Sequence, residues 1–213
     1  MSILAVIFDL DGVLVHTDQY HYQAWKRMAD EEGIVFEESA GDRLRGVSRM
    51  ESLEVILEKS GRTYTNVEKE ALAERKNGYY RELLEQLTPA DAAPGSRELL
   101  AACTEQGIKV AIGSSSRNTP VILERLGLTH LFEAVADGNE IVNSKPDPEV
   151  FLLAAKKLAI DPKYCIVVED AEAGLIAAKR AGMKTAATGT AIKSARADHH
   201  LHRLEELTAV IWG

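Results

Sequence analysis

Apolar residues run without a break from Ile3 to Phe8 and stop at Asp9-Leu10-Asp11-Gly12. A short apolar run, partly β-branched and without polar alternation, is the pattern of a strand buried on both faces, as in a parallel sheet. After it the period becomes helical. Tyr22, Trp25 and Ala29 fall at helical spacing within Gln19 to Glu32, Met50 to Lys59 repeats the pattern, and Glu68 to Leu87 is long, charged and helix-favouring. From Pro94-Gly95 onward helix and strand patterns alternate. The spacing predicts helices over Ser96 to Gln106, Thr119 to Leu126, Pro148 to Leu158 and Ala171 to Ala181, and strands over Lys109 to Gly113, Ala134 to Ala136, Tyr164 to Val168 and Lys184 to Ala187. Such alternation implies an α/β architecture, a parallel sheet with right-handed crossovers. The simplest assembly makes residues 1–15 and 89–213 one α/β core domain and inserts residues 16–88 after the first strand as a helical cap domain, with Thr88-Pro89 to Pro94-Gly95 as the return linker.

Composition narrows the class without changing this plan. At 213 residues, 46% hydrophobic and 27% charged, the chain is long enough for one substantial core or one domain carrying an insertion. A net charge of −8 and the lack of a dense Lys/Arg block argue against a nucleic-acid partner. The apolar runs fall far short of a membrane span and no basic-then-apolar leader precedes the first strand, so the expectation is a cytoplasmic protein with no membrane partner. Cys103 and Cys165 stand in apolar surroundings, as buried reduced thiols do.

In a parallel sheet, ligands bind at the carboxyl ends of the strands, and several predicted strands end in polar residues. Asp9 and Asp11 follow the first. Two carboxylates this close repel unless a cation offsets them, and a metal with oxygen ligands, Mg²⁺ above all, is the natural third party; a plain Asp-Gly hairpin turn is the alternative. Lys109 to Gly113 runs into Ser114-Ser115-Ser116, whose hydroxyls and N–H groups suit phosphate oxygens or, equally, an ordinary helix cap. Tyr164 to Val168 runs into Glu169-Asp170, a second carboxylate pair or a helix start. Lys145, in Asn143-Ser144-Lys145-Pro146-Asp147-Pro148, is a surface lysine when taken alone; with four carboxylates and a phosphate nearby it becomes a fixed cation that neutralises transferring charge.

The order Asp-x-Asp-Gly, Ser, Lys-Pro and Glu-Asp resembles the haloacid dehalogenase superfamily of phosphatases and phosphomutases. Leu44-Arg45-Gly46-Val47-Ser48-Arg49-Met50-Glu51-Ser52-Leu53, Arg75-Lys76-Asn77, Ser114-Ser115-Ser116-Arg117-Asn118, and Thr17, Tyr20-His21 and Trp25 are similar to its sugar phosphomutases. The resemblance implies a Rossmann-like core with an inserted cap and a Mg²⁺-dependent enzyme acting on a hexose phosphate. That enzyme interconverts the 1- and 6-phosphates of β-glucose through a bisphosphate intermediate.

By the same resemblance Asp9 is the nucleophile and Asp11 the general acid and base. Ser114 and Lys145 hold the transferring phosphoryl group. Asp9, Asp11, Glu169 and Asp170 hold the metal. Arg49, with Ser116 and Asn118, grips the second phosphate, while Gly46, Val47, Ser48, Ser52, Lys76 and Ser115 line the substrate. His21 takes a supporting place near Asp11 and Lys76, and Trp25 faces either the substrate or the cap core. A monomer is expected. Two positions depart from the family pattern: His16 stands where Asp usually precedes Thr17, and Arg45 replaces a usual Lys. A phosphatase using water as acceptor and a non-catalytic sugar-phosphate binding module are the rival readings. His199-His200-x-His202 resembles a metal-binding tract but reads as the closing segment of the fold.

Overall fold

The structure, a computed structural model, describes residues 2–37, 43–44 and 48–213. The chain divides into two compact units, one formed by the N-terminal residues through His16 with Thr88–Gly213, the other by Thr17–Leu87. Among the described residues no helix is long and apolar enough to cross a membrane.

The first unit is built on a six-stranded parallel sheet. Its strands are β1 (Ala5–Phe8), β2 (Lys109–Gly113), β3 (Ala134–Ala136), β4 (Cys165–Glu169), β5 (Lys184–Ala187) and β6 (His199–His200), in the order β3-β2-β1-β4-β5-β6. β1 is central and all four of its residues are buried, which is why its sequence has no polar alternation. Phe8 pairs with Ile112 on one side and Val168 on the other, so β1, β2 and β4 end level and deliver their next residues to one edge. The helices packed on the sheet include α4 (Ser96–Glu105), α6 (Glu149–Leu158) and α7 (Glu172–Arg180), and α5 (Thr119–Leu126) follows the loop after β2. The fit of α6 on β2 is close: a Cβ on Gly113 would meet the Phe151 ring at 2.7 Å. Cys103 and Cys165 are buried free thiols. α8 (Leu207–Trp212) closes the chain.

The second unit is helical: α1 (Asp18–Glu31), α2 (Arg49–Leu57) and α3 (Asn66–Leu84). Trp25, Met28 and Ala29 of α1 pack with Ile34, Phe36, Leu53, Ile56, Leu72 and Ala73 into its own core. α2 and α3 each begin in a capping box. Ser48 and Glu51 exchange side-chain and backbone hydrogen bonds at one, Thr65 and Glu68 at the other, which satisfies N–H groups that the first turn leaves open.

The helices and strands that the sequence predicts are present, and β6 and α8 are additions to them. No strand is predicted at His199-His200, because two residues cannot display a period; they form β6 by pairing with Ala186 and Ala187. His200 Nδ1 meets the Ile192 carbonyl at 2.6 Å.

Candidate active site

Four strand-end and loop residues from three separate stretches of the chain meet in a buried charged cluster in the first unit. Asp9 follows β1, Glu169 ends β4 and Asp170 follows it. Among the described residues these three form the one group of His, Cys, Asp and Glu side chains placed to share a metal ion, with ligand atoms within 4.8 Å of one another. Lys145 Nζ lies 2.6 Å from Asp9 Oδ1 and 2.8 Å from Glu169 Oε2, so it is no surface lysine; it is 4% exposed.

The electrostatics follow from burial. Desolvation works against the Lys145 charge, but Asp9 and Glu169, through charge and hydrogen bonds, outweigh it and raise its pKa. Glu169 is pushed up to about 7, first by burial and then by the Asp9 charge, against the pull of Lys145. Its Oε1 also accepts from the N–H groups of Asp170 and Ala171, so the same carboxylate steadies the start of α7. Three carboxylates against one ammonium leave a formal excess of two negative charges. Oxygen donors with that excess fit a hard divalent cation.

Two glycines allow the cluster to close. Gly12 has φ +84°, and a Cβ there would lie 2.2 Å from Asp170 Oδ2; a Cβ on Gly174 would lie 1.9 Å from Glu169 Oε2. Asp11 sits in a tight turn where Gly12 N–H donates to the Val15 carbonyl at 2.7 Å. This turn follows a strand paired in parallel on both sides, so it closes no hairpin.

The loop after β2 is shaped by its hydroxyls. Ser114 Oγ accepts from Ser116 N–H and Ser116 Oγ from Asn118 N–H, both at 3.2 Å. Asn118 stands at the N-cap of α5 without a side-chain cap hydrogen bond. Ser115 Oγ is buried and has no hydrogen-bond partner. An unmet buried hydroxyl is costly, and an oxyanion bound at this loop would supply its acceptor.

In the helical unit His21, Lys76 and Trp25 come together. Lys76 is buried, its Nζ 2.8 Å from His21 Nδ1 and 4.8 Å from the Trp25 ring centroid. Trp25 is itself a core residue, 2% exposed. Burial, then the charges of Lys76 and Arg49, hold the His21 pKa well below its usual value, so the ring is neutral near pH 7. Arg49 Nη1 pairs with Glu74 Oε2 at 3.3 Å, the Ser48 hydroxyl is engaged in the α2 cap, and Ser52 is buried. Gly46, Val47 and the Arg45 departure lie outside the described residues. His16 is exposed. The His199, His200 and His202 side chains are not gathered into a metal-sized group.

Sequence reasoning missed Tyr80, whose ring stacks on His21 with centroids 4.0 Å apart. Its position one helical turn after Lys76 puts it on the same helix face, which by spacing alone reads as a core position.

A family model for haloacid dehalogenase-like hydrolases matches residues 3–182. The chain belongs to that family. Among haloacid dehalogenase-like relatives it is 44% identical over 206 residues to the beta-phosphoglucomutase of Bacillus subtilis (strain 168), covering 96% of this chain and 91% of that protein. It is 34% identical over 184 residues to a phosphorylated carbohydrates phosphatase of Thermotoga maritima, covering 84% of this chain and 82% of the other. The crystal structure of beta-phosphoglucomutase from Clostridium difficile superposes with a TM-score of 0.90 at 37% identity, covering 97% of this chain and 96% of that one.

Proposed function

We propose that this chain is a phosphomutase interconverting β-D-glucose 1-phosphate and β-D-glucose 6-phosphate, through a phosphoryl group on Asp9 and a β-glucose 1,6-bisphosphate intermediate. The carrying observation is the buried Asp9, Lys145, Glu169 and Asp170 cluster in a chain 44% identical to a beta-phosphoglucomutase over nearly its whole length.

In this reading the sugar 6-hydroxyl oxygen attacks the phosphorus of phospho-Asp9, the bond from phosphorus to the Asp9 oxygen breaks, and Asp11 takes the hydroxyl proton. The bisphosphate turns end for end. Asp9 then attacks the phosphorus at C1, and Asp11 returns its proton to the departing C1 oxygen, which leaves glucose 6-phosphate and regenerates phospho-Asp9. Lys145 and Ser114, with Ser115, orient the transferring group and offset its charge. Asp9, Asp170, Glu169 and the Asp11 carbonyl would hold Mg²⁺, which when bound supplies the charge neutralisation that brings an anionic nucleophile to an anionic phosphoryl group.

The helical unit serves as the cap. There Arg49 is assigned the non-reacting phosphate, since a guanidinium suits paired phosphate oxygens; Ser116 and Asn118, in the loop after β2, are assigned phosphate oxygens as well. Lys76, His21 and Ser52, with Ser48, Gly46 and Val47, are assigned the sugar. Trp25 acts through Lys76. A cytoplasmic monomer is the expected form.

The test is a Mg²⁺-dependent assay on β-glucose 1-phosphate primed with a trace of bisphosphate, following glucose 6-phosphate and free phosphate together. Glucose 6-phosphate without phosphate release, lost in Asp9→Asn and Asp11→Asn, is the expected result. Phosphate release alone would establish instead the sugar-phosphate phosphatase that the 34% identical Thermotoga maritima relative favours.

A further inference from the structure

Tyr80 is fully buried in α3, at the side chain of the residue one turn after Lys76, and three separate contacts fix its ring. One face stacks on His21, with an interplanar angle of 21°. The Lys76 ammonium lies 4.7 Å from its centroid. Its hydroxyl donates to Thr17 Oγ1 at 3.1 Å, and Thr17 is itself wholly buried. Thr17 is the first residue of the helical unit, and its carbonyl accepts the His21 N–H at 2.9 Å. Thr17 at the N-cap of α1 and His21 and Trp25 within it recur every four residues, as Lys76 and Tyr80 do on α3.

We infer that Tyr80 is a positioning residue that locks the His21 imidazole in its Nε2–H form. An ammonium has no lone pair to give, so at 2.8 Å from Lys76 Nζ the His21 Nδ1 must accept. The neutral ring therefore carries its proton on Nε2. A freely turning imidazole would exchange its two nitrogens at the Lys76 contact; the stacked Tyr80 ring, pinned at its far end by Thr17, prevents that rotation. His21 is then a fixed, uncharged hydrogen-bond donor, suited to a hydroxyl or phosphoryl oxygen. This last step rests on the reading of His21 as a substrate contact.

The experiment is nitrogen-detected NMR of the His21 ring in the full chain, in the wild type, Tyr80→Phe and Tyr80→Leu, with kcat and KM on β-glucose 1-phosphate for each. The wild type is expected to show a bare Nδ1 and a protonated Nε2. Tyr80→Phe keeps the stack and that signature. Tyr80→Leu is expected to mix the two tautomers and to lower kcat/KM about tenfold, the worth of roughly one hydrogen bond. A protonated Nδ1 in the wild type overturns the inference whether or not the leucine variant folds. So does a folded Tyr80→Leu with a lower melting temperature and an unchanged His21 signature, since Tyr80 would then be packing alone. Mixed tautomers with unchanged kcat/KM would support the positioning role and reject His21 as a substrate contact.

Discussion

Lys145 Nζ and Asp9 Oδ1 meet at 2.6 Å across 136 residues of chain, and both side chains are buried. The pair is unequal in what its loss would do. Removing the ammonium in Lys145→Met leaves Asp9 beside Glu169 with no protein cation between them, whereas Asp9→Asn removes one of three crowded carboxylates and leaves Lys145 its contact with Glu169. Breaking a buried pair from one side costs about 3–5 kcal/mol. Lys145→Met is therefore expected to lose about that much in urea unfolding without divalent cations and to regain part of it with Mg²⁺. Asp9→Asn is expected to be as stable as the wild type or more so, yet inactive. A Lys145→Met variant of wild-type stability would refute this account of the cluster.

Ser115 and Ser96 share one defect, a buried hydroxyl oxygen without a partner, but only Ser115 lies in the loop assigned to the phosphoryl group. Each unmet hydroxyl costs about 1–3 kcal/mol. Both alanine variants should melt at or above the wild-type temperature. With inorganic phosphate and Mg²⁺ added, the rise in melting temperature is expected to be smaller for Ser115→Ala than for the wild type and unchanged for Ser96→Ala. Equal rises in all three proteins would remove Ser115 from the phosphate site.

Gly12 combines a left-handed backbone with the nearest approach to Asp170, 2.2 Å for an added Cβ. Alanine would both strain that backbone, by about 1–2 kcal/mol, and push the carboxylate aside. The expected outcome for Gly12→Ala is a loss of Mg²⁺ affinity of about tenfold or more, read from the Mg²⁺ concentration that half-restores activity to the metal-free protein. An unshifted midpoint would show that Asp170 is not held against Gly12 for a metal.

The strand pattern was legible because burial on both faces erases polar alternation, and β1 shows this in every residue. Helix ends were less so. The period begins the third helix at Glu68 and ends it at Leu87, but α3 runs from Asn66 to Leu84. Its true start was written in the Thr65 and Glu68 capping box, which periodicity alone passes over. The carboxylates of the core cluster could be named because they lie at strand ends, which share an edge in a parallel sheet, and Lys145, in the loop before α6, could be named only beside them. Tyr80 could not. An aromatic residue at helical spacing announces a core position, and only the packing reveals that the ring it covers belongs to His21. Trp25 stood open for the same reason, and it proves to be a core residue that also faces the Lys76 ammonium.

The neutrality of His21 makes stability depend on pH in a direction that can be worked out. Burial first, then Lys76 on α3 and Arg49 on α2, hold its folded pKa well below the ordinary 6.5. In the unfolded chain the ring takes up a proton as the pH falls through that ordinary value, while the folded ring resists. The unfolded state then binds more protons, so stability is complete above pH 6.5 and declines below it. The slope from one such group is at most about 1.4 kcal/mol per pH unit, and less here because His21 is only half-buried. His21→Gln removes the group. Urea unfolding of both proteins from pH 7.5 down to about 5, close to the interval in which a free imidazole takes its proton, should show the wild type losing stability faster than the variant, so that the gap between them narrows with acidity. Parallel declines would mean that His21 is protonated as readily in the fold as outside it, and a charged imidazole beside Lys76 could not accept from its ammonium.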